Sequence, residues 1–322
     1  MTLESPTSCV SSSITIRTRA VGLVRGALDM LQRVRLRGVT SIMSITEPDY
    51  LRLWHELATR AHGHFGARFD QKERAREYDA ASKRRNVGRP DFLFQFVKRD
   101  LRPQDTVIDI GAGTGRWTVP LATVTDRVTA VEPAAAMAEV LRANAEESGV
   151  SGKITVVPAT WEAAEVAVHD VVTCFHAIYM SADFAAFVRK MEAHARRSCY
   201  LGLRHFPADG VIQELSARIY GVRHDSPNFI VGYNALYQMG IYANVLIEDF
   251  QPVWTDESLE AAFGRAKRHL FLTDGTHDDL VRSTLDRRLV LRGGVYQWPD
   301  AMSTALVWWN VTGKPGDQSA AR

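Results

Sequence analysis

Cysteine is scarce in this chain. Cys9, Cys174 and Cys199 are the only three in 322 residues, too few and too scattered for a disulfide framework or a zinc site. Cys174 and Cys199 lie in apolar runs, which reads as buried free thiols. No apolar run reaches the ~18 residues of a membrane-spanning helix. Neither sign of charge dominates: 39 basic residues face 37 acidic ones, a formal net of +2, which argues for no particular partner. Repeats and low-complexity tracts are absent. A reducing, cytoplasmic setting fits these absences. What is present is 46% hydrophobic residues, enough for a sizeable core.

Charge is unevenly spread. Residues 1–42 hold Arg17, Arg19, Arg25, Arg33, Arg35 and Arg37 against only Glu4 and Asp29, a net of +4, which leaves the remainder at −2. This stretch reads as a disordered basic tail or an upstream mis-assigned start, with Met43 opening a natural N-terminus. A targeting segment or a basic helix on a membrane surface is the alternative.

The most informative stretch is Val107-Ile108-Asp109-Ile110-Gly111-Ala112-Gly113-Thr114-Gly115. It predicts a short buried strand running into a glycine turn, where backbone can approach a ligand closely. Glu132 follows seventeen positions after Gly115, at the end of the next apolar strand. Strand, glycine turn, helix, strand and acid is the layout of an adenosine-cofactor site in a doubly wound sheet. A dinucleotide fingerprint would need a third glycine where Arg116 stands. Asp109, two residues before the turn, would repel a pyrophosphate and suits a cationic ligand.

At these residues the chain resembles the class I S-adenosylmethionine-dependent methyltransferases. Asp109-x-Gly111-x-Gly113-x-Gly115 is similar to their first motif, and Val131-Glu132-Pro133 to the acidic motif that comes after it. The resemblance covers roughly 75–205. It implies S-adenosyl-L-methionine as cofactor, with the glycine loop, including Ala112, under the methionine moiety and Glu132 on both ribose hydroxyls. It further implies a seven-stranded, mostly parallel sheet whose last strand is antiparallel.

The rest of the chain fits an α/β architecture. Helices are expected over 47–63, 69–85 and from Phe92 to before Pro103, forming a helical cap over 43–103. From 104 onward strands alternate with helices: strands 105–110, 127–132, 153–158, 170–175 and 198–204, with helices 115–124, around Met137 to Leu141, and around Phe184 to Met191. Such alternation means right-handed crossovers and a parallel sheet covered on both faces. A helical lid insert is expected over about 205–243. A strand over 244–253, helices over 257–272 and 276–289, and a last strand over 305–311 complete the domain.

Several side chains are candidates for the site. Asp109 is expected to bond backbone amides of the glycine turn or to hold the cofactor's ammonium through water. Thr160 stands where family members often carry an aspartate toward adenine. Trp161 would stack on adenine, offer its backbone N–H, or simply be core. His176 leaves the fourth strand next to the expected methyl position, and His205 ends the fifth. Either would be a general base or a positioning histidine. Tyr179, Tyr233 and Tyr237 would line the acceptor pocket, the last two sharing a helix face. No Asn/Asp-Pro-Pro-Tyr box, no Pro-Cys pair and no paired-glutamate loop is present. Beyond the tail there is no basic stripe for nucleic acid. These absences favour a small-molecule acceptor. An RNA or protein methyltransferase using the tail, and a catalytically silent cofactor-binding module, stay open, as does the oligomeric state.

Overall fold

The computed structural model describes residues 48–65, 71–86, 92–206, 209–247, 253–301 and 303–311. The chain divides into two units, Met1–Pro48 and Asp49–Arg322. The expected basic tail lies outside the described residues. All the elements named below belong to the second unit.

Helices α1 (Tyr50–Phe65), α2 (Lys72–Asn86) and α3 (Phe92–Asp100) precede β1 (Thr106–Ile110). The alternating part then runs α4 (Thr118–Val124), β2 (Arg127–Val131), α5 (Ala135–Glu147), β3 (Ile154–Val157), β4 (His169–Phe175), α6 (Phe184–His194) and β5 (Ala195–His205). Two helices come next, α7 (Val211–Tyr220) and α8 (Phe229–Gln238), then β6 (Asn244–Ile247), β7 (Val253–Asp256), α9 (Leu259–His269), α10 (Asp278–Arg288), β8 (Val290–Arg292), β9 (Val295–Ala301) and β10 (Ser303–Asn310).

The main sheet has seven strands in the order β3-β2-β1-β4-β5-β10-β6. The first five pair in parallel, while β10 runs antiparallel to both of its neighbours. This is the expected doubly wound sheet with its antiparallel last strand. Successive strand residues serve opposite faces, as the period of two requires. Ile108 and Val172 join a core with Trp54 and Leu57 of α1, Phe184 and Met191 of α6, and Leu236 of α8. Val107 and Val171 join the other core, with Leu93 and Val97 of α3 and Leu121 of α4. Both faces are therefore sealed, which is why the central strands read as continuous apolar runs.

The strand order reverses direction between β1 and β4. Crevices outside the carboxyl ends of strands at such a switch point are where doubly wound sheets bind ligands. The glycine turn leaves β1 at that point.

Two expectations need correction. The predicted strand over 244–253 is two strands in different sheets, β6 in the main sheet and β7 in a second one. Pro252 lies between them, and proline cannot donate to a ladder. Nor do helices alone fill the region before the last strand. β7, β9 and β8 form a three-stranded antiparallel sheet that shares a core with α7, α9 and α10 through Ile212, Leu215, Phe263, Leu285 and Trp298. Its polar anchor is Asp256, which accepts the Trp298 indole N–H at 2.7 Å and a two-nitrogen fork from Arg265. Burial pushes the Asp256 carboxyl up, but Arg265 and Trp298 outweigh it and hold the group below its ordinary value.

Candidate cofactor and acceptor site

The glycine turn is preformed by bonds to its own neighbours. The amides of Gly111 and Ala112 both donate to Val131 O, at 2.8 and 3.2 Å, and Gly115 N donates to Ala112 O at 3.0 Å. Gly113 N donates to Glu132 Oε2 at 2.8 Å, while Ala134 N donates to Glu132 Oε1 at the same distance. Glu132 thus ties the turn after β1 to the first residues of α5. A carboxylate has about four acceptor positions, so one such group can serve backbone amides and ligand hydroxyls together.

The three glycines do different work. All adopt positive φ: 69° at Gly111, 57° at Gly113 and 89° at Gly115. A Cβ on Gly111 would stand 2.1 Å from the Cβ of Ala177, and one on Gly115 would crowd Val119 and Leu141 at 3.1 and 3.2 Å. These two glycines serve packing between elements. A Cβ on Gly113 would meet nothing nearer than Gly111 O at 4.0 Å, so Gly113 alone faces open space and a side chain there would fill a cradle. Beside it, Thr114 Oγ1 is buried without a hydrogen-bond partner. Gly111→Ala is expected to destabilise the fold by about 2–4 kcal/mol through overpacking and left-handed strain. Gly113→Ala is expected to cost only ~1 kcal/mol while weakening ligand binding. Thermal melts and cofactor titrations of the two variants check this contrast.

Asp109 departs from expectation. Its carboxylate accepts from Thr118 Oγ1 at 2.6 Å and Thr173 Oγ1 at 3.1 Å, not from the amides of the glycine turn. Both threonines are fully buried. The Asp109 side chain is equally enclosed, and that burial pushes its carboxyl up from 3.8 to about 6; the two hydroxyls oppose the shift and the charge of Glu132 adds to it. Trp117 closes the turn by stacking on Phe175, centroids 3.4 Å apart and planes within 6°.

Thr160 is exposed, and its carbonyl accepts from Ala163 N and Ala164 N. The Trp161 indole is buried in the first core, donating to Phe187 O at 3.2 Å. It does not present a face for stacking. Lys190 caps this turn by donating to the carbonyls of Trp161, Glu162 and Ala164 at 2.7, 3.1 and 2.8 Å. Nothing in the sequence pointed to this lysine, which reaches the turn from one helix later.

At the carboxyl ends of β4 and β5 a second polar group assembles. His176 adopts φ 58°, an uncommon value for a residue with a side chain. Its own amide donates to Gly202 O at 3.0 Å. The Tyr179 hydroxyl accepts the Arg204 amide at 2.5 Å and lies 3.2 Å from His176 Nδ1, while His176 Nε2 lies 3.0 Å from Thr304 Oγ1. The network assigns the tautomer: Tyr179 donates to Nδ1 and Nε2–H donates to Thr304. Both ring nitrogens of His176 are therefore engaged. Burial pushes the Tyr179 hydroxyl up to about 12, so it stays protonated and keeps that direction. His205 bonds through Nδ1 to Ser303 Oγ at 3.0 Å and meets Phe229 edge-on. Burial lowers its pKa, which keeps the ring neutral at pH 7.

The expected aromatic lining is divided. Tyr233 packs on Phe229 and donates to Ala243 O at 3.2 Å. Tyr237 is 61% exposed and pairs with Tyr242, which is 70% exposed, so it does not line this site. Cys174 and Cys199 are buried free thiols as expected, and burial pushes the Cys174 thiol to about 12, which leaves no thiolate to act as nucleophile.

A family model described as a methyltransferase domain matches residues 107–198, the span from β1 to the start of β5. Over this span the chain is similar to the S-adenosylmethionine-dependent methyltransferases of class I. An uncharacterized protein from Haemophilus influenzae is 27% identical over 237 residues, which is 70% of this chain and 84% of that protein. A ubiquinone biosynthesis O-methyltransferase from Methylobacterium is 38% identical over 93 residues, 28% of this chain and 36% of its own length. Among solved structures, a SAM-dependent methyltransferase from Geobacter sulfurreducens in complex with S-adenosyl-L-homocysteine aligns at a TM-score of 0.42 and 14% identity, covering 68% of this chain and 90% of that one.

The cofactor fits the residues present. An open cradle at Gly113, a buried hydroxyl at Thr114 with no partner and the carboxylate of Glu132 beside them suit an uncharged ribose and a cationic methionine end, with no phosphate to accommodate. Among the described residues, no helix is long and apolar enough to cross a membrane.

Proposed function

We propose that the chain is a methyltransferase acting on a small-molecule acceptor. The observation that carries the reading is the enclosure of the acceptor side. His176, Tyr179, Arg204 and His205 are buried or half-buried, beneath α1, where Trp54 stacks on Tyr179, and α8, where Phe229 meets His205. An acceptor side built from enclosed polar groups suits a metabolite better than a polymer. The name of the O-methyltransferase relative is in keeping with this.

Each residue has a role in this reading. Glu132 holds the ribose hydroxyls, with Pro133 ending the strand behind it. The turn from Gly111 to Gly115 cradles the methionine end at Gly113. Asp109 supplies negative charge beneath it, and the backbone at Thr160 and Trp161 meets the adenine. When bound, S-adenosyl-L-methionine would supply an electrophilic methyl group on a sulfonium sulfur that leaves as a neutral thioether. The chain's share is alignment and exclusion of water. His176, with both nitrogens engaged, positions the wall of the pocket. His205 is neutral, and among the described residues no hydrogen bond reaches its Nε2. It takes the proton if the attacking atom carries one.

The test is transfer of label from S-adenosyl-[methyl-²H₃]-methionine by the full chain into a metabolite extract, total RNA or total protein. Incorporation into a low-mass product is expected. Incorporation only into RNA or protein, lost on deletion of residues 1–42, would replace this reading with a polymer acceptor held by the basic tail. No incorporation by protein that binds cofactor would leave a binding module.

A further inference from the structure

Arg204 and Asp225 take no part in the chemistry proposed for the site, and both are incompletely satisfied. Arg204 stands next to last in β5, in register with Thr304 of β10, the residue that receives His176. Its guanidinium lies over the Tyr179 ring with Cζ 3.9 Å from the centroid, and its backbone N–H is bonded to the same tyrosine. These contacts fix the plane of the fork and the direction of its edge. On that edge, Nε is buried with no hydrogen-bond partner. Asp225, between α7 and α8, is 2% exposed, and its Oδ1 is likewise buried with no partner. Its other oxygen accepts from Ser226 Oγ at 3.3 Å. Burial pushes the Asp225 carboxyl up, and the charge of Arg204 acts on it from nearby, yet the two form no ion pair.

A buried donor and a buried acceptor left open within electrostatic reach of each other are costly unless another group satisfies them. The surroundings favour an anion at the arginine. Burial, with Arg204, Arg265 and Arg268 close by, holds the neighbouring His269 down at about 4, so it adds no charge. Arg265 is matched by Asp256, whereas among the described residues Arg204 has no such counterpart. A single guanidinium edge offers two coplanar donors, which match a planar carboxylate. A phosphate dianion would set two negative charges, against a carboxylate's one, between the single Arg204 cation and Asp225. Ala177, one residue beyond His176, packs on Gly111, so the arginine shares the sheet edge from which the glycine turn leaves.

We infer that Arg204 and Asp225 form a recognition subsite for a methyl acceptor that carries a carboxylate, bound by Arg204, and a hydroxyl or amine donor, bound by Asp225. This rests on the small-molecule reading. The experiment is to identify the deuterated product from the metabolite extract by mass spectrometry, then repeat the incubation with extract whose carboxyls have been amidated by carbodiimide and excess methylamine. In parallel, Arg204→Lys and Arg204→Gln are measured with the acceptor so identified. The expected acceptor bears a carboxylate, amidation abolishes transfer, and both variants raise the acceptor KM about 100-fold or more with cofactor affinity and melting temperature held. A neutral acceptor, transfer that survives amidation, or a wild-type KM in Arg204→Gln overturns this inference while leaving the small-molecule reading intact. Absence of any low-mass product overturns both.

Discussion

Replacing Glu132 with alanine is expected to weaken S-adenosyl-L-methionine binding by about 100-fold or more, since two hydrogen bonds to a charged group are lost at roughly 1.5–3 kcal/mol each. The geometry makes the loss larger than ribose contacts alone. The same carboxylate holds Gly113 N and Ala134 N at 2.8 Å each, so the cradle loosens as the ligand contacts vanish. Glutamine is not a neutral replacement here. Both oxygens of Glu132 accept from backbone N–H, and an amide would set its NH₂ against one of those donors. Glu132→Gln is therefore expected to fall near alanine in affinity. Calorimetric titration of both variants checks the claim. Wild-type affinity in either would remove Glu132 from the site.

The second large effect concerns Asp109. Its carboxyl titrates at about 6 in the fold against an ordinary 3.8, chiefly because it is buried. A carboxyl with a raised folded pKa favours the folded state fully below its unfolded value. That contribution is lost as pH rises through about 6, because the ionised form must then be buried. The shift corresponds to about 3 kcal/mol at pH 7 and above. Asp109→Asn removes this cost and keeps the bonds, since its carbonyl can accept from one threonine hydroxyl and its NH₂ can donate to the other. The variant is expected to be more stable than the wild type at pH 7.5, by up to about 3 kcal/mol, and to show no advantage at pH 3.5. It should lose most of its affinity for the cationic cofactor. In the wild type, affinity should rise with pH through about 6 as Asp109 ionises, and in Asp109→Asn that rise should disappear. Chemical denaturation at two pH values, with binding measured across the range, tests both parts. A variant less stable than the wild type at pH 7.5 would contradict the account.

The two predictions concern the part of the molecule that was most legible in the sequence. Residues 107–132 carry strand, turn, helix, strand and acid in one uninterrupted run, so spacing alone orders them. The parallel strands were legible because Ile108 and Val107, or Val172 and Val171, serve opposite cores and leave no polar face to confuse the pattern. The second sheet was not. β8 is exposed along its length and shows no alternation. Its signal was the pair Gly293-Gly294, both at positive φ, which joins β8 to β9 in the two-residue hairpin such a pair favours. The acceptor side was only half legible. His176 and His205 stood out at strand ends. Arg204 is a charge closing an apolar strand, Asp225 reads as part of a Ser-Pro turn, and Thr304 lies in another strand altogether. Only the antiparallel pairing of β5 with β10 and the return of the chain between α7 and α8 bring them near one another. Asp109 was found for its charge, but its threonine partners lie nine and sixty-four residues away, and the more distant one became visible only when β1 paired with β4.

The central claim is that the turn after β1 and the acid after β2 bind S-adenosyl-L-methionine and not a dinucleotide. Calorimetry of the full chain against S-adenosyl-L-methionine and NAD in parallel tests it most directly. The account predicts saturable binding of the first at one site, lost in Glu132→Ala, and no binding of the second. Tight binding of NAD with none of S-adenosyl-L-methionine would contradict it.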